Sequence, residues 1–241
     1  MKDFIEVNNK RYHYLLIQKE IRFKGKAYIS VREVRQGTAV EAADAGAAHL
    51  LRNGAKEIYF TCRDSAVTLP DILTTPGGRT FRHIYDMDWL EKDLSAFTPA
   101  ETSLTLQPID KKNAAGFQHI YNECFFGVPN GATYTRADVR DLLKPEREGA
   151  AGLLMADGEP IGIYELTFGE TPEIDAVGVT AGKRGTGYGK QALALLLRKL
   201  RDRGSRSVRL LVCTANDNAY GLYIKNGFEK RSTQSRWYRM D

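Results

Sequence analysis

The stretch "KRGTGYGKQALALLLRKLRDRG", residues 183–204, places three glycines at alternate positions directly before a leucine-rich pattern of helical spacing. The first backbone N–H groups of a helix have no partner inside the helix and carry a partial positive charge. Glycine exposes those groups to a phosphate, because it has no Cβ and accepts a positive φ. The stretch therefore predicts a diphosphate-binding turn at a helix start. The alternative is a loop that is merely flexible.

Two common phosphate-binding motifs do not fit the spacing of these glycines. A P-loop ending at Lys190 would need Gly at 184 and Ser or Thr at 191, where the sequence has Arg184 and Gln191. A dinucleotide-binding fingerprint starting at Gly185 would need a third glycine at position 190. The pattern that fits is Arg-x-x-Gly-x-Gly starting at Arg184.

This pattern resembles the GNAT superfamily of acyl-CoA-dependent N-acyltransferases. The stretch "VTAGKRGTGYG" (179–189) is similar to the family's V-x-P-x-x-R-G-x-G-x-G, with Ala181 in place of the usual proline. Downstream, "NDNAYGLYIKNGF" (216–228) is similar to N-x-x-A-x-x-L-Y-x-K-x-G-F. The resemblance covers residues 103–241. It implies a GNAT-like α/β fold with a mixed sheet, acetyl-CoA as the cofactor, and direct transfer of the acetyl group to a primary amine.

Acetyl transfer to an amine needs a polarised carbonyl, a base for the amine and a proton for the departing thiolate. The resemblance implies that the strand "EIDAVGV" (173–179) offers backbone groups to the pantetheine arm, and Gly178 suits a close ligand approach. Tyr223 is the candidate proton donor, since a phenol pKa of about 10 lies near the roughly 8.5 of a thiol. A tyrosine that only packs against the sheet is the alternative.

Glu173 is the candidate base, acting directly or through water, and a solvated acid at the strand end is the alternative. The two-residue period of a strand puts Asp175, Val177 and Val179 on the same face as Glu173. The predicted cofactor-binding residues are Val177, Gly178, Val179, Arg184, Gly185, Thr186, Gly187, Tyr188, Gly189, Lys190 and Asn216.

The hydrophobic pattern of residues 101–241 predicts alternating strands and helices. "LTLQPI" (104–109) predicts a strand, and "NAAGFQHIYNEC" (113–124) predicts a helix with one apolar face. Thr135 is placed to cap a second helix, and Asp157-Gly158 predicts a two-residue hairpin turn. Strands are also predicted at "SVRLLVC" and "SRWYRM" near the C-terminus.

The first 100 residues contain a shorter version of the same pattern. "RQGTAVEAADAGAAHLLRNGAKEIYFTC" (35–62) follows the order of residues 183–213: Gly-Thr, helix, turn, and a strand ending in cysteine. Ala39 and Glu41 replace two of the glycines, so we expect no anion site there. Chance repetition of a common βα unit is the alternative.

A domain boundary is predicted in the small-residue stretch "SAFTPAETS" (95–103). The sequence thus predicts two domains. Residues 1–100 form a smaller, truncated, cofactor-silent GNAT-like α/β domain, and residues 101–241 form a catalytic GNAT acetyltransferase domain.

Composition narrows the class of protein. The 241 residues carry a formal net charge of +5, which suits an anionic ligand such as a phosphorylated cofactor. The absence of a secretory leader or long apolar run indicates a cytoplasmic protein without a membrane partner. The three cysteines, Cys62, Cys124 and Cys213, lack metal-ligand spacing, so no metal is expected.

Two other function classes stay open beside the acetyltransferase. One is a non-catalytic CoA-binding or regulatory module. The other is a nucleic-acid-binding protein using the basic helix, which lacks the interleaved aromatic residues such proteins use. We expect a small-molecule amine acceptor and no nucleic acid. The sequence leaves the oligomeric state open, with a homodimer as one arrangement.

Overall fold

A computed structural model describes residues 2–98 and 101–241, and the chain divides into two compact units. The first unit comprises Met1–Asp88 and Thr233–Asp241, and the second comprises Trp89–Ser232. The centre of the predicted linker, residues 99 and 100, lies outside the described residues. These bounds differ from the predicted 1–100 and 101–241, because residues 89–98 group with the second unit and the C-terminal residues with the first.

The first unit contains a mixed sheet and one long helix. Its elements are β1 (Phe4–Asn8), β2 (Tyr12–Ile17), α1 (Ile21–Lys24), β3 (Lys26–Val34), α2 (Ala39–Arg52), β4 (Glu57–Cys62), β5 (Ile72–Thr74), the start of β6 (Thr80–Asp93) and the end of β12 (Glu229–Met240). The strand order is β1-β2-β3-β4-β12-β6, and β5 pairs with β6. Strands β3 and β4 are parallel, as a strand–helix–strand crossover requires.

The C-terminal strand explains why the first unit is not a continuous segment of sequence. Residues Trp237, Tyr238 and Arg239 of β12 pair antiparallel with Thr61, Phe60 and Tyr59 of β4. Tyr238 is fully buried in the core that α2 covers. The end of the chain therefore completes the sheet of the first unit.

The second unit contains most of the predicted elements. They are β7 (Thr105–Pro108), α3 (Ala114–Phe125), α4 (Arg136–Leu142), β8 (Ala151–Ala156), β9 (Glu159–Thr167), β10 (Glu173–Val179), α5 (Tyr188–Asp202), β11 (Ser207–Cys213) and α6 (Asp217–Lys225). Strand order runs β11-β10-β9-β8-β7, with β10 and β11 parallel and the other pairs antiparallel. The predicted α/β class with a mixed sheet is confirmed.

Local sequence signals account for the ends of several elements. Thr135 caps α4 in a reciprocal capping box with Asp138. Asp157 and Gly158 have φ values of 50° and 81°, the left-handed pair that a tight hairpin between β8 and β9 requires. These signals were readable because each depends on neighbouring residues only.

Helices cover both faces of the sheet in the second unit. On one face, α5 buries the predicted leucine stripe of Leu193, Leu196, Leu197 and Leu200. On the other face, α3 and α4 form a separate apolar cluster against β8, β9 and β10. The two layers hold β10 in place from both sides.

The described residues contain neither a candidate membrane-spanning helix nor a candidate metal cluster. Within residues 2–98 and 101–241, no helix combines the length and the apolar character needed to cross a membrane. The same ranges contain no group of three or more His, Cys, Asp or Glu side chains arranged to hold a metal ion.

Candidate active site

The predicted glycine turn lies between β10 and α5. Gly185 and Gly187 have φ values of +78° and +88°, in the left-handed region that favours glycine. Gly187 is the N-cap of α5. A Cβ added to either residue would meet no other atom of the described residues within 4 Å, so the space directly beside each glycine is open.

The backbone donors of this turn have no partners in the part of the chain that the structure describes. Within the described residues, no hydrogen-bond acceptor meets the N–H groups of residues 185–189. No side chain caps α5, and its first turn contains no acidic residue. Five consecutive donors and the positive end of a 15-residue helix therefore form a site for an anion.

Helix α2 of the first unit shows the opposite arrangement. The Glu41 carboxylate accepts hydrogen bonds from the Thr38 N–H at 3.1 Å, from the Tyr12 hydroxyl at 2.5 Å and from Arg11 Nη2 at 3.0 Å. These contacts, led by the Tyr12 hydroxyl, lower the pKa of Glu41. A Cβ at Gly37 would lie 2.3 Å from Glu41 Oε2. The chain's own carboxylate thus fills the anion position at this helix, and the cofactor-silent role of the first unit stays a prediction.

Strands β10 and β11 pair only at one end. Their parallel pairing in the described residues is limited to Glu173 and Arg209. Strand β10 pairs with β9 as far as Val179. Val177, Gly178 and Val179 are half-buried, and their edge towards β11 has no strand partner among the described residues. This divergence leaves backbone groups of β10 available to a ligand, as the resemblance implied.

Gly178 is required by a helix that packs against the strand. A Cβ at Gly178 would lie 2.9 Å from Cys124 Cβ and 3.2 Å from both Cys124 Sγ and Phe125 Cε2. Burial raises the pKa of the Cys124 thiol to about 11, so this side chain packs as a neutral, apolar group. Helix α3 thus makes a close approach at Gly178, and the approach of a ligand there stays a prediction.

Gly178→Ala should destabilise the second unit. The added methyl group would overlap Cys124, and overpacking of this kind costs about 1–3 kcal/mol. Gly116→Ala is the control, because Gly116 lies in α3, the helix that packs against Gly178. A Cβ at Gly116 would meet nothing within 4 Å, so this substitution should stabilise the helix by about 0.5–1 kcal/mol. Urea unfolding of both variants measures the difference. Equal stabilities would contradict the packing described here.

Arg184 links the glycine turn to β10 and α3 through two hydrogen bonds to main-chain carbonyls. Its Nε donates to the Val179 carbonyl at 3.0 Å, and its Nη2 donates to the Cys124 carbonyl at 3.2 Å. Glu123 adds a further hydrogen bond, accepting the Ala181 N–H at 3.2 Å. Two main-chain carbonyls thus engage the Arg184 guanidinium, and the binding of the cofactor by Arg184 stays a prediction.

Four other predicted cofactor-binding residues lie in the glycine turn and the first turn of α5, and they differ in their contacts and exposure. Thr186 donates its hydroxyl to the Lys183 carbonyl at 2.7 Å, which stabilises the turn. Tyr188 is half-buried against the α5 core, and Lys190 is exposed. Gly189 lies in the first turn of α5, where its Cβ position is 3.6 Å from Leu222.

Tyr223 and Asn216 lie on α6. Asn216 is the N-cap, and its Oδ1 accepts the Ala219 N–H at 3.3 Å, so that oxygen is already engaged. Tyr223 is buried beside Phe228, with the ring centroids 5.7 Å apart. Burial raises the pKa of Tyr223 to about 12. Its hydroxyl makes no hydrogen bond to the described residues.

Glu173 is held in an ion pair. Arg209 donates to Glu173 Oε1 through Nε at 3.0 Å and also through Nη2. The Arg209 guanidinium lies 4.6 Å from the centre of the Trp89 ring. The carboxylate predicted as the base is therefore engaged by an arginine.

A β-bulge changes which residues share a face of β10. The register shifts between Ile174 and Ala176, so Ile174, Val177 and Val179 all pack towards α5. The predicted common face of Asp175 with Val177 and Val179 is therefore wrong. Sequence analysis also did not single out Glu165 of β9, which the structure buries; the available signal was a carboxylate within the apolar run "IGIYELTF".

The comparisons with known proteins assign a family to most of the second unit. Residues 114–228 match the model of the Acetyltransferase (GNAT) family. This segment, which contains the glycine turn, β10 and α6, belongs to the GNAT family, and acyl transfer is the chemistry of that family. The family predicted from the motifs is confirmed.

Several solved structures that are similar over most of the chain are described as GNAT proteins. A GCN5-related N-acetyltransferase from Sphaerobacter thermophilus has a TM-score of 0.67 at 17% identity, over 94% of this chain and 75% of its own. One from Kribbella flavida gives 0.55 at 13% identity, over 98% and 88%. A tandem GNAT protein from the clavulanic acid biosynthesis pathway gives 0.54 at 15%, over 95% and 78%. A search of curated proteins found no match. The structural similarity to these proteins, at identities below 25%, establishes the fold.

Proposed function

We propose that the second unit transfers the acetyl group of acetyl-CoA to a primary amine. The observation that carries this proposal is the run of unpartnered N–H groups at residues 185–189. A diphosphate matches these donors in charge and in hydrogen-bonding capacity. The unpaired edge of β10 supports the same ligand, because it offers further backbone groups to a pantetheine arm.

In the reaction, a carbon–nitrogen bond forms and the carbon–sulfur bond of the thioester breaks. The N–H groups of residues 185–189 hold the diphosphate, and Arg184 keeps the turn in place through the Val179 and Cys124 carbonyls. Backbone groups of Val177, Gly178 and Val179 orient the acyl end and polarise its carbonyl. Acetyl-CoA itself supplies the activated acyl group.

Tyr223 faces a steeper proton transfer than its sequence suggested. A phenol with a pKa of about 12 stays protonated at neutral pH. Giving that proton to a thiolate with a pKa of roughly 8.5 is uphill by on the order of 5 kcal/mol. We therefore propose that the hydroxyl stabilises the departing sulfur by donating a hydrogen bond while the negative charge develops.

Thermal unfolding with and without acetyl-CoA tests the proposed binding. A ligand at 100 times its Kd adds about 2.7 kcal/mol to native-state stability, so we expect the Tm to rise by about 5–10 °C. Release of the CoA thiol in the presence of a primary amine tests the transfer. Stabilisation without CoA release for any amine would favour the non-catalytic module. Stabilisation by DNA and none by acetyl-CoA would contradict the proposal.

A further inference from the structure

Three carboxylates lie on neighbouring strands of the second unit. Glu165 of β9 is paired in register with Ala176, and Thr167 is paired with Glu173. Asp175 lies at the bulge between these two pairs, and its Oδ2 accepts a hydrogen bond from the Thr167 hydroxyl at 2.8 Å. The strand pairing thus gathers Glu165, Glu173 and Asp175 at one place beside the divergence of β10 and β11.

Two of the three carboxylates are already paired with an arginine. Glu165 is 6% exposed and accepts hydrogen bonds from Arg147 Nη2 at 3.0 Å and from the Tyr134 hydroxyl at 2.7 Å. Glu173 is paired with Arg209. Asp175 has no ion-pair partner among the described residues. The cluster therefore carries one uncompensated negative charge, and it lies on Asp175.

The position of Asp175 suits a residue that meets an incoming amine. The residue is exposed, and the strand rise of about 3.3 Å per residue puts it about 7 Å along the backbone from Val177. A general base takes a proton from a group within hydrogen-bond reach or through one water, and a separation of this size suits transfer through one water. The bulge supports this role, because bulges re-aim side chains next to active sites.

The surroundings make this carboxyl a better proton acceptor than an ordinary aspartate. Although the residue is exposed, desolvation by the surrounding chain raises the pKa of Asp175 to about 6. That value is the net result: desolvation is the largest cause, the negative charges of Glu165 and Glu173 also raise the pKa, and the Thr167 hydrogen bond and the Arg147 guanidinium lower it. On the far side of Glu165, Tyr134 stacks on Tyr121 with ring centroids 3.7 Å apart.

We propose that Asp175, and not Glu173, takes the proton of the acceptor ammonium, and that Glu165 is a positioning residue that supplies a fixed negative charge beside it. This inference rests on the proposed acetyl transfer. The amine proton moves to an Asp175 carboxyl oxygen, and the freed nitrogen lone pair forms the bond to the carbonyl carbon. The carbon–sulfur bond breaks with its electron pair on sulfur, and the second proton that the nitrogen loses as the amide forms passes through solvent to that sulfur. Asp175 then releases its proton to solvent.

Asp175→Asn tests the role of this carboxylate in turnover. Loss of a general base costs about 10²–10⁴ in rate, so kcat should fall at least 100-fold. The probe is CoA release from acetyl-CoA with a panel of ethanolamine, putrescine, glucosamine and lysine. The wild-type kcat should rise with pH through about 6, and the variant should lose that rise. Glu170→Gln is the matched control, because Glu170 is an exposed carboxylate in the same β9–β10 turn.

Stability separates this role from a structural one. The folded pKa of Asp175 is raised, so the fold disfavours the charged form, and the resulting loss of stability develops as pH rises through about 6. Asp175→Asn should therefore have an unchanged or higher Tm at pH 8. Its acetyl-CoA-induced Tm rise should be intact. An Asp175→Asn variant with the kcat and pH profile of the wild type would overturn the proposal. It would also be overturned if the rise of kcat with pH were lost in Glu173→Gln and kept in Asp175→Asn.

A titration decides the same question without turnover. NMR of the protein with ¹³C-labelled aspartate follows each carboxyl group. The Asp175 signal is identified by its absence from the spectrum of Asp175→Asn, and in the wild type it should titrate near pH 6. Glu165→Gln should move that midpoint downwards, because it removes a neighbouring negative charge and frees Arg147. A midpoint near 4 in the wild type would overturn the proposal. If no amine in the panel reacts while the midpoint is near 6, the proposed acetyl transfer fails and the basicity of Asp175 stands.

Discussion

Gly187→Glu should abolish the Tm rise that acetyl-CoA produces. The new side chain would enter the open space beside the turn, and its carboxylate would repel the diphosphate. It would also compete for the free N–H groups of residues 185–189, as Glu41 does at α2. Each charge-assisted hydrogen bond is worth about 1.5–3 kcal/mol, so losing two raises the Kd more than about 100-fold. Calorimetric titration with acetyl-CoA measures that change.

Gly204→Glu is the matched control for this variant. Gly204 follows the C-terminal end of the same helix α5, with a φ of +89° and no atom within 4 Å of its Cβ position. Both substitutions therefore impose the same left-handed strain of about 1–2 kcal/mol. Only Gly187→Glu should lose acetyl-CoA binding. Equal affinities in the two variants would show that the diphosphate lies elsewhere.

Tyr223→Phe should lower kcat by about 100-fold and leave the Kd for acetyl-CoA nearly unchanged. The hydroxyl makes no hydrogen bond to the described residues, so its removal breaks no contact that holds α6. The loss should appear in kcat because the thiolate charge develops only in the reaction. Stopped-flow measurement of CoA release, together with a binding isotherm, separates the two quantities.

Tyr164→Phe controls for the loss of a buried hydroxyl. Tyr164 belongs to the same core cluster as Tyr223, and its hydroxyl is buried without a partner in the described structure. Burial also raises the pKa of Tyr164 to about 12. The two variants thus remove the same group from the same core, and only Tyr223→Phe should slow turnover. A similar kcat in both would remove Tyr223 from the reaction.

Most of the second unit was predictable from the sequence, because its signals are local. The glycine turn, the Thr135 cap and the Asp157-Gly158 hairpin each depend on residues close in the chain. The leucine stripe of α5 likewise predicted which face is buried. The unpartnered N–H groups follow from the same local logic, since a helix start preceded by glycines has few ways to satisfy them.

The parts that sequence analysis missed depend on residues far apart in the chain. Arg184 reaches the Cys124 carbonyl across 60 residues, and Glu173 pairs with Arg209 across 36. Gly178 is needed for contact with α3, which no pattern within β10 reveals. The bulge at Asp175 changes the alternation of side chains, and only the pairing with β9 defines it. The pairing of the C-terminal strand β12 with β4 is also a contact between residues far apart in the chain, and it places the C-terminal residues in the first unit.

A crystal structure of the protein with coenzyme A tests the central claim most directly. We expect diphosphate oxygens within about 2.7–3.2 Å of the backbone nitrogens of residues 185–189. The adjoining pantetheine arm should lie along the unpaired edge of β10 near Val177. A diphosphate bound elsewhere, with these five N–H groups still without an acceptor from the ligand, would contradict the account.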